Sequence, residues 1–391
     1  METQWAGEAC DRRFDPESGA MITQLTSSAA SSINIYCEQP YTSPDGNRIA
    51  ILRRNDVSFD PSWRLIVADL KTLKLALVES SGVVGVCNAA WSGLLLYTIE
   101  DGSMYRLNLE TLEKEAIELP QGTQLEGRGA SASPDQRHIV YSRVVAGPEV
   151  AIVLVDLQER AETVIYKNPE IVNPHLQFNP VHGRDILVQH NRGSRMDAEG
   201  NITSIVGEEG TTHFLIALDG GDKHPLPAGP PHTGPSTGHS NFVADTGRVA
   251  WTALWDWHDW SLGPLNKGGN LHTAAPGDAG PQVFHAPGDR FNHVNVSRCG
   301  RYFVCDSVPF SLYDDKGDLR PPCLAVGNLQ TGKHRVLVQN TMASNGGGQH
   351  QHPHAYLTAD SRNVIYNSDL SCGPTQVWAA RVPDGFLESL A

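Results

Sequence analysis

The stretch GQHQHPH, residues 348–354, places three histidines and two glutamines in seven residues of a chain with 16 histidines in 391. Imidazoles crowded this closely repel one another when charged, and a metal ion is their simplest common partner. His352 and His354 are two apart, so on an extended strand both side chains leave on one face. Pro353 between them suits a position that needs no ladder donor. Gln349, three residues before His352, can add an amide oxygen from the entering loop. Imidazole with amide oxygen suits a borderline divalent ion such as manganese, zinc or iron. With no thiolate in the set, a structural zinc site is disfavoured. His350 is expected to point away, as a solvated loop residue.

Such side chains need a scaffold that aims them at one point, and the sequence repeats itself in a way that supplies one. A turn followed by an apolar strand recurs as SPDGNRIAIL, WSGLLLYTI, SPDQRHIVYS, NPVHGRDILVQ, VADTGRVAWTA, SRCGRYFVCD and TADSRNVIYNS. A second strand follows each time, as in WRLIVADLKTLKLALV and PCLAVGNLQTGKHRVLV; the fifth copy, near NLHTAAPGDAGPQVFH, is degenerate. Gly46 to Gly93 spans 47 residues and Gly247 to Gly300 spans 53; the 64 from Gly183 to Gly247 imply an insertion, placed at about 190–212. Short β-rich runs at this period read as blades of a β-propeller. The expected fold is all-β, a single seven-bladed propeller over 1–391 behind an extension of about 19 residues. The last repeat lacks its final strand, and AMITQLTSS at 20–28 is a spare one. An N-terminal strand completing the last blade removes the open edge.

Aligned on the turn, the position four residues earlier, near the channel end of each innermost strand, reads Gln39, Asn88, Gly129, His175, His239, His293 and His354. The last four share one pattern, HLQFN, HSNFV, HVNVS and HAYLT. No hydrophobic core asks for histidine at one register in four successive repeats, whereas convergence on a shared site does.

Composition bounds the rest. An apolar content of 40% supports a core, and 37 glycines with 25 prolines imply many turns. A net charge of −14 argues against non-specific binding to nucleic acid or anionic membrane. The N-terminal METQWAGEACDRRFDPESG has no apolar signal region, and no apolar run approaches a membrane span. The seven cysteines are scattered without a CxxC pair, so all are expected to be packing residues in a reducing cytoplasm.

The chain resembles the oligogalacturonate lyases, a seven-bladed propeller family of polysaccharide lyases. The resemblance rests on the opening FDPESGAMITQLTS, on HVNVSRCGRYFVCD, and above all on Gln349, His352 and His354 followed by LTADSRNVIYNSD. It implies metal ligands at His293, Gln349, His352 and His354, and a catalytic base at His239. Manganese is the implied ion, with calcium or zinc as alternatives. Where the family has a His-Glu-Gly-Pro segment this chain reads QHNRG, so only His190 matches. The family's substrate-binding arginine, expected before FLIAL, meets Thr212 or His213. Arg192 or Arg195, on the inserted loop, is the expected substitute. His175 is expected to contact substrate or handle protons, or to be merely structural.

The chemistry implied is β-elimination from a uronic acid. A base removes the proton beside the carboxylate, which puts a second negative charge next to the first; a cation stabilises that charge. A neutral histidine is an adequate base near neutral pH. The partner is then an acidic oligosaccharide, with oligomeric state left open. Trp251, Trp255, Trp257 and Trp260 can stack on sugar rings or simply pack between blades. Three rivals remain: a propeller-based binding module, a metal-dependent hydrolase or oxidoreductase with Asp306 or Asp369 as its acid, and a lyase acting on a glucuronate-containing glycan.

Overall fold

A computed structural model describes residues 4–55, 62–123, 125, 129–145, 149–254, 258–259, 263–264, 268–307, 321–342, 349–371 and 373–391. Among them the regular structure is β-strand with short 3-10 turns, and no helix is long and apolar enough to cross a membrane. The contacts divide the chain into two compact units, one of residues 1–85, 90–116 and 290–391, the other of 86–89 and 117–289.

The first unit holds a sheet of Ser32–Ile33, Arg48–Arg54, Trp63–Asp69 and the start of the long strand Lys74–Asn88. The same sheet continues from that strand into Leu94–Ile99, Met104–Asn108 and Lys114–Ile117, so the 15-residue strand joins the two halves of one eight-stranded sheet, which Trp5–Gly7 completes. A further sheet runs Val294–Val296, Tyr302–Asp306, Leu324–Asn328, His334–Val338. The closing sheet is Tyr356–Leu357, Asn363–Ser368, Gln376–Arg381, then Met21–Gln24 and Cys10–Phe14 from the start of the chain. The expected N-terminal strand is therefore present: Met21 pairs with Arg381 and Gln24 with Trp378. Val304, Leu324 and Val326 pack against Leu357, Val364 and Trp378, burying one sheet face on the next. The second unit repeats the pattern with three four-stranded sheets, beginning at Ser131–Ala132, Gln177–Phe178 and Ser236–Phe242. The insertion carries a small hairpin of its own, Arg195–Met196 with Ile202–Ser204.

The recurring turn has a local cause. Its first side chain is a hydroxyl that accepts the amide five residues on: Arg48 N–H donates to Ser43, His138 to Ser133, Tyr302 to Ser297 and Asn363 to Thr358, at 2.9–3.1 Å. Each bond starts the second strand at a fixed distance from the turn. A two- or three-residue inner strand precedes the turn at Ser133, Ser297 and Thr358, and a single bridge, Thr42 to Ile49, takes its place at Ser43.

Candidate metal centre

His293 lies immediately ahead of the inner strand Val294–Val296 and is 1% exposed. Its Nδ1 is 2.9 Å from both carboxylate oxygens of Asp306, and its backbone N–H donates to the same group at 2.9 Å. The Asn292 side-chain amide also lies 2.9 Å from that nitrogen. A carboxylate at this distance requires a proton on Nδ1, which leaves Nε2 as the nitrogen that can bind a cation.

His352 and His354 come from the closing sheet, but not from a strand. They follow a 3-10 turn, Gln349–Gln351, and precede Tyr356–Leu357. His354 has φ +43°, a left-handed conformation uncommon outside glycine. The expectation of a regular strand presenting both on one face is thus corrected: a turn and one left-handed residue bring them together. Buried polar groups hold that backbone. His354 N–H donates to Asp306 Oδ2 at 3.1 Å, and its carbonyl accepts from Asn34 at 2.8 Å. Asn367 N–H donates to the Pro353 carbonyl at 2.8 Å, and the Asn367 amide to that of His352 at 3.3 Å.

The outcome is convergence. Ring centroids lie 4.3 Å apart for His293 and His354, 5.5 Å for His293 and His352, and 5.7 Å for His352 and His354. One nitrogen from each of the three falls within 4.8 Å of the others. Three imidazoles at this spacing, two of them fully buried, fit a divalent transition ion, with borderline nitrogen donors and no thiolate. The Cys37 thiol is not among the converging ligand atoms, and burial with the nearby Glu38 and Asp306 carboxylates pushes its pKa well up.

Sequence reasoning missed Tyr36, whose half-buried ring sits 4.6 Å from that of His354 and 6.4 Å from that of His293. Ile35 before it is buried at φ +70°, strained for a β-branched residue at a cost of about 1–3 kcal/mol. No residue-type pattern announces such a conformation.

In the second unit, His175 and His239 have ring centroids 6.0 Å apart at 78°. His239 sits where the strand Ser236–Phe242 slips register between Ser236 and Ser240, beside Gly238 at φ +92°. A bulge of this kind re-aims a side chain out of the ladder. His175 also has a positive φ, and its Nε2 is 2.9 Å from the Asn173 amide. His213, at the register where the resemblance expects an arginine, is buried with Nε2 2.9 Å from Ser236 Oγ. Burial, with His175 nearby, lowers its pKa to about 3, so it is a neutral ring and no substitute for a guanidinium.

The other expected residues fall as follows. His190 turns to Glu170, with Nε2 and Oε2 3.0 Å apart, and Arg195 is exposed on the small hairpin with Arg192 half-buried in the turn before it. The Gln349 side chain, Trp255, Trp257 and Trp260 lie outside the described residues. Trp251 is fully buried against His272 and has no exposed face for a sugar. His350 is half-buried with its ring against Trp63, rather than a solvated loop residue. Asp306 is engaged by His293 and His354, which removes it as a free acid for a hydrolase. Cys10 and Cys299 are exposed, so the expectation that every cysteine packs in the core fails for these two.

No protein-family model matches the chain. Over 100 residues it is 38% identical to an oligogalacturonide lyase of Pectobacterium atrosepticum and 31% identical to an oligogalacturonate lyase of Dickeya dadantii. Each match covers 24% of this chain and 26% of the relative, so the chain matches about a quarter of the length of these curated relatives. The fold likeness is far more extensive. An oligogalacturonate lyase in complex with manganese superposes with a TM-score of 0.70 at 18% identity, covering 98% of this chain and 99% of that one. An oligogalacturonate lyase from Vibrio parahaemolyticus gives 0.69 at 16%, covering 99% and 100%. The β-propeller domain of the Trilobed protease from Pyrococcus furiosus gives 0.50 at 9%, covering 92% and 97%. The chain has the all-β propeller fold of these proteins.

Proposed function

We propose that the chain is a distant member of the oligogalacturonate lyase family and cleaves uronic-acid-containing oligosaccharides by metal-assisted β-elimination. The observation that carries this reading is the convergence of His293, His352 and His354, with Asp306 behind them. These three rings hold the ion, with Gln349 proposed as a fourth ligand. Bound there, a divalent cation supplies positive charge beside a uronate carboxylate and lowers the cost of a second negative charge next to it. Manganese is the proposed ion, with calcium and zinc as alternatives. His239 takes the proton from the carbon beside the carboxylate. The electron pair moves into a new carbon–carbon double bond, and the glycosidic oxygen leaves from the next carbon. His175, whose ring edge faces His239, is proposed to contact substrate or pass on the proton. Arg192, Arg195 and His190 are the proposed contacts to the rest of the sugar chain.

A second reading is favoured by one observation. The register where the resemblance expects a substrate-binding arginine carries the neutral, hydroxyl-bonded His213. That suits a lyase for another acidic glycan, such as a glucuronate-containing one. We propose seven blades and a reducing cytoplasm as the setting; the six described cysteines are all free thiols, which agrees with it. Neither nucleic acid nor membrane is proposed as a partner.

The test is a panel of oligogalacturonates and glucuronate oligosaccharides incubated with manganese or chelator, read by the ultraviolet absorbance of the unsaturated product. Activity should appear with manganese and vanish with chelator. His239→Ala should lower kcat by about 100- to 10,000-fold while leaving bound metal unchanged. New reducing ends without ultraviolet absorbance would mean hydrolysis and would end the lyase assignment.

A further inference from the structure

We propose that Asp306 is the positioning residue of this metal centre, a single buried carboxylate that sets two of its ligands at once. The inference rests on the metal-centre reading above and adds to it a residue outside the ligand set.

Asp306 ends the strand Tyr302–Asp306 and is completely buried. A carboxylate in that position costs several kcal/mol unless charge and hydrogen bonds compensate it. Three contacts point at one place. Both oxygens sit 2.9 Å from His293 Nδ1, one accepts the His293 backbone N–H, and the other accepts the His354 backbone N–H at 3.1 Å. The first contact decides which His293 nitrogen keeps its proton and turns Nε2 toward His354 and His352. The last contact is made to a residue at φ +43°, a conformation that its own side chain does not favour. Asp306 therefore ties the inner end of one sheet to the lead-in of the next, and the 4.3 Å approach of the two rings follows from that tie. A purely structural acid has no reason to satisfy itself on two metal-ligand residues.

The test reads metal binding rather than turnover. Manganese is titrated into the metal-free full chain by calorimetry, and the bound ion is followed by electron paramagnetic resonance. The parent should bind one manganese, and His352→Ala should lose it. Asp306→Asn keeps the size of the side chain but loses the charge and the pull on the Nδ1 proton. It should bind about 10- to 100-fold more weakly, with an altered resonance line shape. In a His293→Ala background the same change should cost markedly less, because one of the ligands it acts through is gone. No manganese binding by the parent would overturn the metal centre itself. Binding by the parent with equal affinity in Asp306→Asn would overturn only the positioning role. Should Asp306→Asn fail to fold, Asp306→Glu retains the charge and is expected to fold and bind weakly. Failure of both to fold would make Asp306 a core residue and reject the proposal.

Discussion

At the scale of single residues, the buried histidines separate into those proposed to serve chemistry and those that only pack. His272 belongs to the second kind. It is fully buried and stacked on Trp251 at 5.7 Å, and neither ring nitrogen has a hydrogen-bond partner among the described residues. Burial lowers its pKa from 6.5 to about 4, so the ring is neutral in the fold. The consequence for stability has a definite sign. Above pH 6.5 neither the folded nor the unfolded chain is protonated there. Below it the unfolded chain takes up a proton that the fold refuses until about pH 4. Stability thus falls across that window, by roughly 3 kcal/mol for this ring alone. His213, lowered to about 3, extends the fall further into acid. His272→Phe should raise neutral-pH stability by about 1–2 kcal/mol, since two unsatisfied nitrogens disappear. It should also flatten the acid limb, as measured by urea unfolding between neutral pH and pH 4. A variant as acid-sensitive as its parent would show that this ring is not the cause. At this scale, residue type and register single out His175, His239, His293 and His354, because four histidines at one repeat position are improbable as packing. The left-handed backbone of His354 and Ile35, the bulge at His239 and the placement of Tyr36 were hidden. They arise from tertiary constraint and leave no mark in residue type.

At the scale of elements, the strand Leu324–Asn328 shows how closely one sheet is fitted. Gly327 pairs with Phe303 across the ladder, and a β-carbon added to it would sit 2.4 Å from two ring carbons of Phe303 and 2.9 Å from the β-carbon of His334. The aromatic ring occupies the space that the glycine leaves. Gly327→Ala should therefore destabilise by about 1–3 kcal/mol through overpacking rather than through backbone strain. Combining it with Phe303→Leu should cost less than the two single changes added together, because the smaller side chain yields the space. Additive losses in denaturant unfolding would show that the ring is not what the new methyl group meets. Read in sequence, AVGNLQTG places the turn at its glycines and asparagine. The fold puts the turn at Asn328, whose side chain accepts from Gln330 N–H at 2.9 Å, and keeps Gly327 within the strand. Turn chemistry was readable because a hydroxyl, an acid and a glycine each have a local task. A glycine kept for an aromatic neighbour on another strand has no local signature.

At the scale of the molecule, the start of the chain is where fold and candidate site meet. Met21–Gln24 closes the sheet that carries His352 and His354, by pairing with Gln376–Arg381. That strand in turn pairs with Asn363–Ser368, whose Asn367 holds the backbone at His352 and Pro353. The preceding residues secure the closure from outside. Trp5–Gly7 pairs with Lys74–Ala76, Glu8 meets Arg53 at 2.6 Å, and the Arg48 guanidinium lies over Trp5. Two truncations separate these roles. Removing residues 1–9 takes away an edge strand and a partly exposed ion pair, and should lower the melting temperature while leaving manganese affinity unchanged. Removing residues 1–25 strips the closing strand and uncovers the backbone edge of Gln376–Arg381, a template for aggregation. It should abolish both the monodisperse species seen by size exclusion and manganese binding, although no ligand has been removed. Retained manganese affinity in the longer truncation would mean that the ligands are held by their own turn and by Asp306 alone, so that closure of the sheet serves stability and not the site.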